Sequence, residues 1–314
     1  MVVSGPKRLR IGVRMDRQAR PRQTLDEALA EFYEDQRYKG NSAATLYFYR
    51  SNLDRFQRGT GIVYLDDFQE SAVRRWLLQH TNVSQSTLAT YDRSIRVVSK
   101  WLHNRGYLPV DPMDRLPKPK ARTTPMATFS EADVRTMVGL ARASRQPLRD
   151  VALITLLLDT GLRIGEAMSL QLRDVDWVQG WLSVEGKTGQ RVVPFGRKCR
   201  LALRRYVDRG RRAASPGVQH VFIAKGGVPM SVSAATHHVV KFARAAGSRA
   251  TKVGPHTFRH TFAVEYIRAG GDAFTLQRIL GHTTLDMTRR YVHLANEDIR
   301  SAHARYAPAE RFLG

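Results

Sequence analysis

The first regular pattern along the chain starts at Thr24. From there Leu25, Ala28, Leu29, Phe32 and Tyr33 recur at three- and four-residue spacing, the period of one buried helix face. Thr24 with Glu27 three residues on supplies both halves of a capping box at its start. A second face runs through Leu46, Tyr49, Leu53 and Phe56 over residues 42–58, a third spans 71–80 and a fourth 86–104. Together they predict a small all-helical domain over residues 24–108. The pattern then stops: residues 109–125, PVDPMDRLPKPKARTTP, hold five prolines and no periodicity, which reads as an extended interdomain linker.

Periodicity returns at Ser130, which with Asp133 forms a second cap signal. Residues 151–158 are almost wholly apolar and read as a core helix ending at Gly161. Two short strands, 181–184 and 191–195, flank the sequence GKTG. Helical patterns fill 198–208, 234–246, 256–269, 273–280 and 296–305. Residues 126–314 therefore predict a second domain, mostly helical with a small antiparallel β-sheet, so the fold class is mainly α. The chain shows no internal repeat.

Charge changes this picture by naming a partner. Among 314 residues, 51 Lys and Arg face 28 Asp and Glu, leaving +23 and a pI near 10.8, the footprint of a polyanion binder. The excess is spread: residues 1–120 carry 21 basic and 13 acidic side chains, net +8, and residues 121–314 carry 30 and 15, net +15. Both halves are thus expected to meet the polyanion, which excludes a neutral enzyme with one basic tail. In the second and fourth helices Arg50, Arg55, Arg93, Arg96 and Lys100 alternate with the apolar stripe, making them candidate DNA-backbone contacts. Residues 1–23 form a basic arm poor in aromatics, as a flexible tail would be.

The single cysteine, Cys199, excludes an internal disulfide and a Cys-based zinc site and fits a reducing compartment. No stretch reads as a signal peptide or reaches about 18 apolar residues, so the expected location is the cytoplasm, at the nucleoid, with no membrane partner.

The candidate chemistry lies in three places: TGLRIGEAMSL from Thr160, EGKTGQRVVP from Glu185, and the stretch from Gly254 to Tyr291 that contains HTFRH, LGH and TRRY. Cleaving a phosphodiester without a metal needs a nucleophile, cations matched to the phosphate oxygens and an acid for the departing oxygen. Arg163 and Arg259 can each offer a planar fork to two oxygens. His256 and Arg259, three apart, share a helix face, and Gly254-Pro255 before them marks a helix start whose free amides favour an anion. Lys187, between the strands, can protonate a leaving oxygen, and Tyr291, nine residues after His282, is the candidate nucleophile outside the core. Its phenol, with a pKa near 10, needs nearby Arg and His to favour the phenolate. Tyr266 is at core spacing from Phe262, and Tyr306 belongs to the last segment. A phosphotyrosine ester stores the energy of the broken bond, so rejoining calls for no ATP, cofactor or metal.

These residues closely resemble the tyrosine recombinase (phage integrase) family over essentially the whole second domain. The resemblance matches Arg163 and Glu166 to the family's R-x-x-E, Lys187 to its hairpin lysine, His256 and Arg259 to H-x-x-R, residues 280–282 to L-G-H and Tyr291 to its nucleophile. It implies attack by Tyr291 to leave a 3′-phosphotyrosine and a free 5′-hydroxyl. Lys187 would be the acid, His256 and His282 would assist proton transfer, and Glu166 would orient. It further implies a SAM-like core-binding domain over residues 24–108 and a catalytic domain over 126–314, closing as a C-shaped clamp on double-stranded DNA. Family members work as homotetramers on paired recombination sites, some with DNA-bending accessory proteins, and the segment after Tyr291 resembles their C-terminal docking helix. Integration or excision of a mobile element is the first expectation and resolution of chromosome or plasmid dimers the alternative.

Three rival readings remain at this level. A metallohydrolase would use His256 and His260, four apart, with His282 and His293, but no Glu follows His256 and no acidic ligand is near. A DNA-binding regulator needs only the charge and leaves the full set of Arg163, Lys187, His256, Arg259, His282 and Tyr291 unaccounted for. A type IB topoisomerase would share the ester chemistry without pairing sites.

Overall fold

Thr24, Ser42 and Ser84 each accept a hydrogen bond from a backbone amide in the first turn of a helix in the computed structural model. The structure describes residues 22–119, 127–186, 189–248, 253–295 and 303. The helices are α1 (Leu25–Tyr38), α2 (Ala43–Thr60), α3 (Glu70–Gln79) and α4 (Gln85–Asn104). Their apolar faces meet in one core around Phe32, Phe56, Trp76, Val98 and Leu102. Phe56 lies edge-on to Trp76 with ring centroids 5.2 Å apart.

The chain divides into two compact units, Met1–Thr124 and Pro125–Gly314. The extended linker expected over 109–125 is shorter at its start, because Met113 and Leu116 are buried in the first core. Asp111 is buried too and accepts hydrogen bonds from the Ser99 hydroxyl and the Met113 amide. Residues 120–126 of that stretch lie outside the described residues, as do residues 1–21 of the basic arm.

Arg96 needs a matching correction. Its Nε donates to Asp92 at 2.9 Å, and its two terminal nitrogens donate to the carbonyls of Met113 and Leu116, each at 2.6 Å. The guanidinium fastens this segment to α4 and does not face a phosphate. Alternation with an apolar stripe identified a helix face but not the carbonyls brought against it from outside the helix. Arg50, Arg55, Arg93 and Lys100 are exposed, Arg50 and Arg55 lying over the rings of Tyr33 and Tyr91 at 5.0 and 5.7 Å.

The second unit is built on α6 (Pro147–Thr160), whose Leu153, Ile154, Leu156 and Leu157 are buried against α5 (Glu131–Arg142) and later helices. Proline at its first turn and Gly161 in the left-handed region at its end explain both boundaries. A Cβ on Gly161 would also lie 2.5 Å from the Phe262 ring. After α7 (Ile164–Ser169) comes an antiparallel sheet in the order β1 (Val175–Asp176), β2 (Trp181–Gly186), β3 (Gly189–Pro194). Leu182 and Val184 on β2 and Val193 on β3 enter the core while Trp181 is half exposed, the alternation that a one-sided sheet requires. The two-residue β1 was not expected, being too short to show a period.

The remaining helices are α8 (Arg197–Arg205), α9 (Val232–Ala245), α10 (Pro255–Arg268), α11 (Ala273–Leu280) and α12 (Leu285–Ala295). The helix expected over 296–305 lies outside the described residues apart from His303. No helix among the described residues is long and apolar enough to cross a membrane.

Candidate active site

Arg163 stands at the N-cap of α7, just past the Gly161 turn. Glu166, at the third position of that helix, reaches back to the Arg163 amide at 2.9 Å and also accepts from the Arg163 guanidinium at 3.0 Å. Arg163 keeps a third of its side chain exposed, so part of its fork remains open to an incoming anion.

Glu166 is also gripped by Arg191 on β3. The two terminal nitrogens of Arg191 donate to the two carboxylate oxygens at 3.0 and 2.8 Å, and its Nε donates to the Ile279 carbonyl at 2.9 Å. Burial raises the proton affinity of Glu166, but the hydrogen bonds from Arg191 and Arg163 outweigh it and hold the carboxyl below its ordinary value. One carboxylate thus joins α7, the sheet and the end of α11.

Arg259 and His256 rise from the first turns of α10, where Gly254 is the N-cap and Pro255 the first helical residue. They share a helix face as expected, but their environments differ. His256 is exposed, whereas Arg259 is only 4% exposed. Its Nη1 donates to the Gly161 carbonyl at 2.8 Å and its Nη2 to the Leu280 carbonyl at 2.6 Å. Burial, with Arg163 beside it, lowers the Arg259 pKa to about 10, which leaves it a cation at neutral pH. Two of the five Arg259 donors, one on each terminal nitrogen, thus carry the backbone of the site, a task its residue type and spacing do not indicate.

Gly281 ends α11 in the left-handed region, and its absent side chain leaves room for Arg191, whose Cδ and Nε would lie 3.1 Å from a Cβ. His282 follows, buried, with Nδ1 2.9 Å from the Thr288 hydroxyl on α12. Its ring stacks on that of Tyr291, centroids 6.0 Å apart and planes 12° apart.

Tyr291 differs from expectation. It is 4% exposed and packs with Ala263, Val264, Ile267, Leu276 and Leu280 rather than standing clear of the core. An amphipathic α12 turns this face inward, a placement that spacing from His282 alone does not reveal. Its hydroxyl nevertheless lies 3.0 Å from Nδ1 of His260, one helical turn along α10 from His256. Burial raises the Tyr291 pKa above its ordinary value, against the opposing pull of Arg259, Arg290 and Arg163. The expected bias toward phenolate is thus outweighed in this state.

All three imidazoles favour the neutral form. Burial leads in each case, only partial for the ring of His256 at the surface, joined by Arg259 and Arg163 for His256, by His256 and Arg259 for His260, and by Arg259, Arg163 and Arg191 for His282. His260 and His282 are brought down to about 4. A histidine titrates near 6.5 in the unfolded chain. A depressed folded pKa means that the unfolded state binds protons first, so this contribution to stability is full above about pH 6.5 and lost as pH falls toward 4. The melting temperature followed by circular dichroism is expected to fall across that window, and by less in His282→Gln; equal falls would contradict the buried neutral imidazole.

Arg163, Glu166, His256, Arg259, His282 and Tyr291 are thus brought together, and Lys187 lies outside the described residues, between Gly186 and Gly189, which pair across β2 and β3. Arg191 and His260 were missed as site residues. Arg191 shares a strand face with the buried Val193, so a period-2 reading places a cation on the core side, where it requires an acid. His260 shares the His256 face at a spacing of four, and only the metal reading used it. Among the described residues no group of three or more His, Cys, Asp or Glu is placed to hold a metal ion.

Residues 127–298 match the model of the Phage integrase family, more than half of the chain, and the chain belongs to that family as a tyrosine recombinase. Tyrosine recombinase XerC of Corynebacterium glutamicum is 30% identical over 275 residues, which cover 86% of this chain and 87% of that protein. XerC of Mycobacterium tuberculosis is 33% identical over 257 residues, covering 78% and 85%. Among solved structures, the Tn1549 transposon integrase in complex with transposon right end DNA has the same fold, with a TM-score of 0.75 at 21% identity over 93% of this chain and 100% of that one.

Proposed function

We propose that this chain cleaves and rejoins double-stranded DNA at specific recombination sites through a 3′-phosphotyrosine on Tyr291. The observation that carries this reading is the convergence of one phenol, three imidazoles and the Arg163 and Arg259 guanidiniums on one site, with a buried carboxylate orienting two arginines. The partly exposed Arg163 and the exposed His256 meet the non-bridging oxygens. Arg259 adds positive charge from beneath while fixing the Gly161 and Leu280 carbonyls. Glu166 orients, His282 supports the tyrosine ring, and Lys187 protonates the 5′ oxygen.

The exposed cations of the helical unit and the net +23 of the chain support a duplex DNA partner, with Arg50, Arg55, Arg93 and Lys100 as backbone contacts. The work is done in the cytoplasm on nucleoid DNA, by four copies on paired sites assembled through the C-terminal segment, with DNA-bending proteins as helpers in pairing.

Integration and excision of a mobile element is the role read from the sequence. A second role, resolution of chromosome or plasmid dimers, is favoured by similarity to recombinases named XerC across most of their lengths. Covalently trapped DNA ends recovered with the protein from its host distinguish them. Two unlike sites joined to each other indicate integration and excision, and one site paired with its own copy indicates resolution. A 5′-phosphotyrosine, or no adduct on any duplex, would overturn the chemistry itself.

A further inference from the structure

Which group takes the proton from the nucleophile is visible in the geometry around the Tyr291 hydroxyl. Its partner is Nδ1 of His260 at 3.0 Å. His256 lies beyond His260, their ring centroids 6.4 Å apart, and His282 meets the flat face of the tyrosine ring while its own Nδ1 is engaged by Thr288. His260 is half-buried, and with its own proton on Nε2 it presents a bare Nδ1 to the hydroxyl.

We propose that His260 is the general base of strand cleavage, accepting the Tyr291 proton as the phenol oxygen bonds to phosphorus. This rests on the reading of Tyr291 as nucleophile. The Oη–P bond forms, the proton passes from Oη to Nδ1, the P–O5′ bond breaks and the 5′ oxygen takes a proton from Lys187. Rejoining runs the transfers backwards, His260 returning its proton to Tyr291.

The surroundings tie this transfer to DNA binding. The groups facing His260 are His256 and Arg259 on its own helix, Tyr291 on α12 and His282 before α12, while Arg290 and Arg163 act on the Tyr291 phenol that it meets. The neighbouring Arg259 cation opposes a positive charge on the His260 ring. A phosphodiester anion seated against Arg163 and His256, above the Arg259 charge, offsets these cations, so the imidazole becomes more basic when a target is present. A protein without DNA keeps its phenol protonated.

The test uses the full chain, His260→Gln and His260→Ala, and a duplex whose scissile 5′ oxygen is replaced by sulphur, a leaving group that needs no acid. Adduct formation by both variants is expected to fall about 10²-fold on the oxygen and the sulphur duplex alike. Lys187→Ala is expected to fail on oxygen and recover on sulphur. Added imidazole restores part of the His260→Ala rate, and the variant's rate climbs with pH where the parent's levels off. Melting and duplex binding of the variants establish that they are folded. A His260→Gln rate within about threefold of the parent on the sulphur duplex overturns the proposal, as does a loss that neither imidazole nor pH relieves. If the parent itself forms no adduct at Tyr291, the proposed function fails instead.

Discussion

Tyr291→Phe is expected to bind a duplex site with the affinity of the parent and to form no covalent adduct at all. The substitution removes one oxygen and its hydrogen bond to His260, which contributes about 0.5–1.5 kcal/mol to stability. The ring keeps its stack on His282 and its packing with Val264, Ile267 and Leu280, so fold and DNA-binding charge survive. The chemistry does not, because no other phenol among the described residues touches the site histidines. Tyr266 packs against Phe262, ring centroids 5.8 Å apart. A denaturing gel of trapped complexes measures the adduct directly. A band that persists with phenylalanine at 291 would move the nucleophile elsewhere and remove the foundation for assigning roles to His260 and His282.

What could be read in advance follows the range of the interaction concerned. Helix α11 occupies 273–280 as its pattern indicates, the capping boxes at Thr24 and Ser130 form as written, and α6 ends at Gly161, because each depends on neighbours within a turn or two. Periodicity also places Arg259 and His256 on one helical face. It cannot show what that face meets. The bond from Arg259 to Gly161 spans 98 residues and that from Arg191 to Ile279 spans 88, so neither leaves a local mark in the sequence. The same limit accounts for Arg96, whose carbonyl partners arrive from a proline-rich stretch with no period of its own. Tyr291 lies between these cases: its residue type and spacing marked it as reactive, while its burial depends on how α12 packs against α10 and α11. Residues that act on substrate were therefore easier to find than residues that hold them, and Arg191 belongs to the second kind.

Arg191→Ala is expected to cause the largest loss of stability of any single change at the site, together with loss of cleavage. Its guanidinium and the Glu166 carboxylate are both nearly buried and joined by two parallel hydrogen bonds. Removing one member of such a pair costs about 3–5 kcal/mol, and here it leaves Glu166 with only its two bonds from Arg163. For a domain near this size each kcal/mol moves the melting temperature by about 2–4 °C, so a fall of roughly 6–20 °C is the expected reading by calorimetry. The loss of cleavage has a separate cause. Without Arg191, Glu166 draws more strongly on Arg163, whose open edge is the phosphate contact, and the Ile279 carbonyl loses the donor that fixes the end of α11. That turn carries the Leu280 carbonyl held by Arg259 and then His282, so a shift there moves a cation and an imidazole together. Arg191→Lys keeps the charge but neither the fork nor the third bond and is expected to restore little cleavage. Pairing Arg191→Met with Glu166→Gln separates the two effects, since replacing both ions avoids a stranded charge. Melting temperature should recover in the double variant while adduct formation stays low. Recovery of both would mean that the carboxylate and its arginine only hold the fold and do not aim Arg163 at the phosphate.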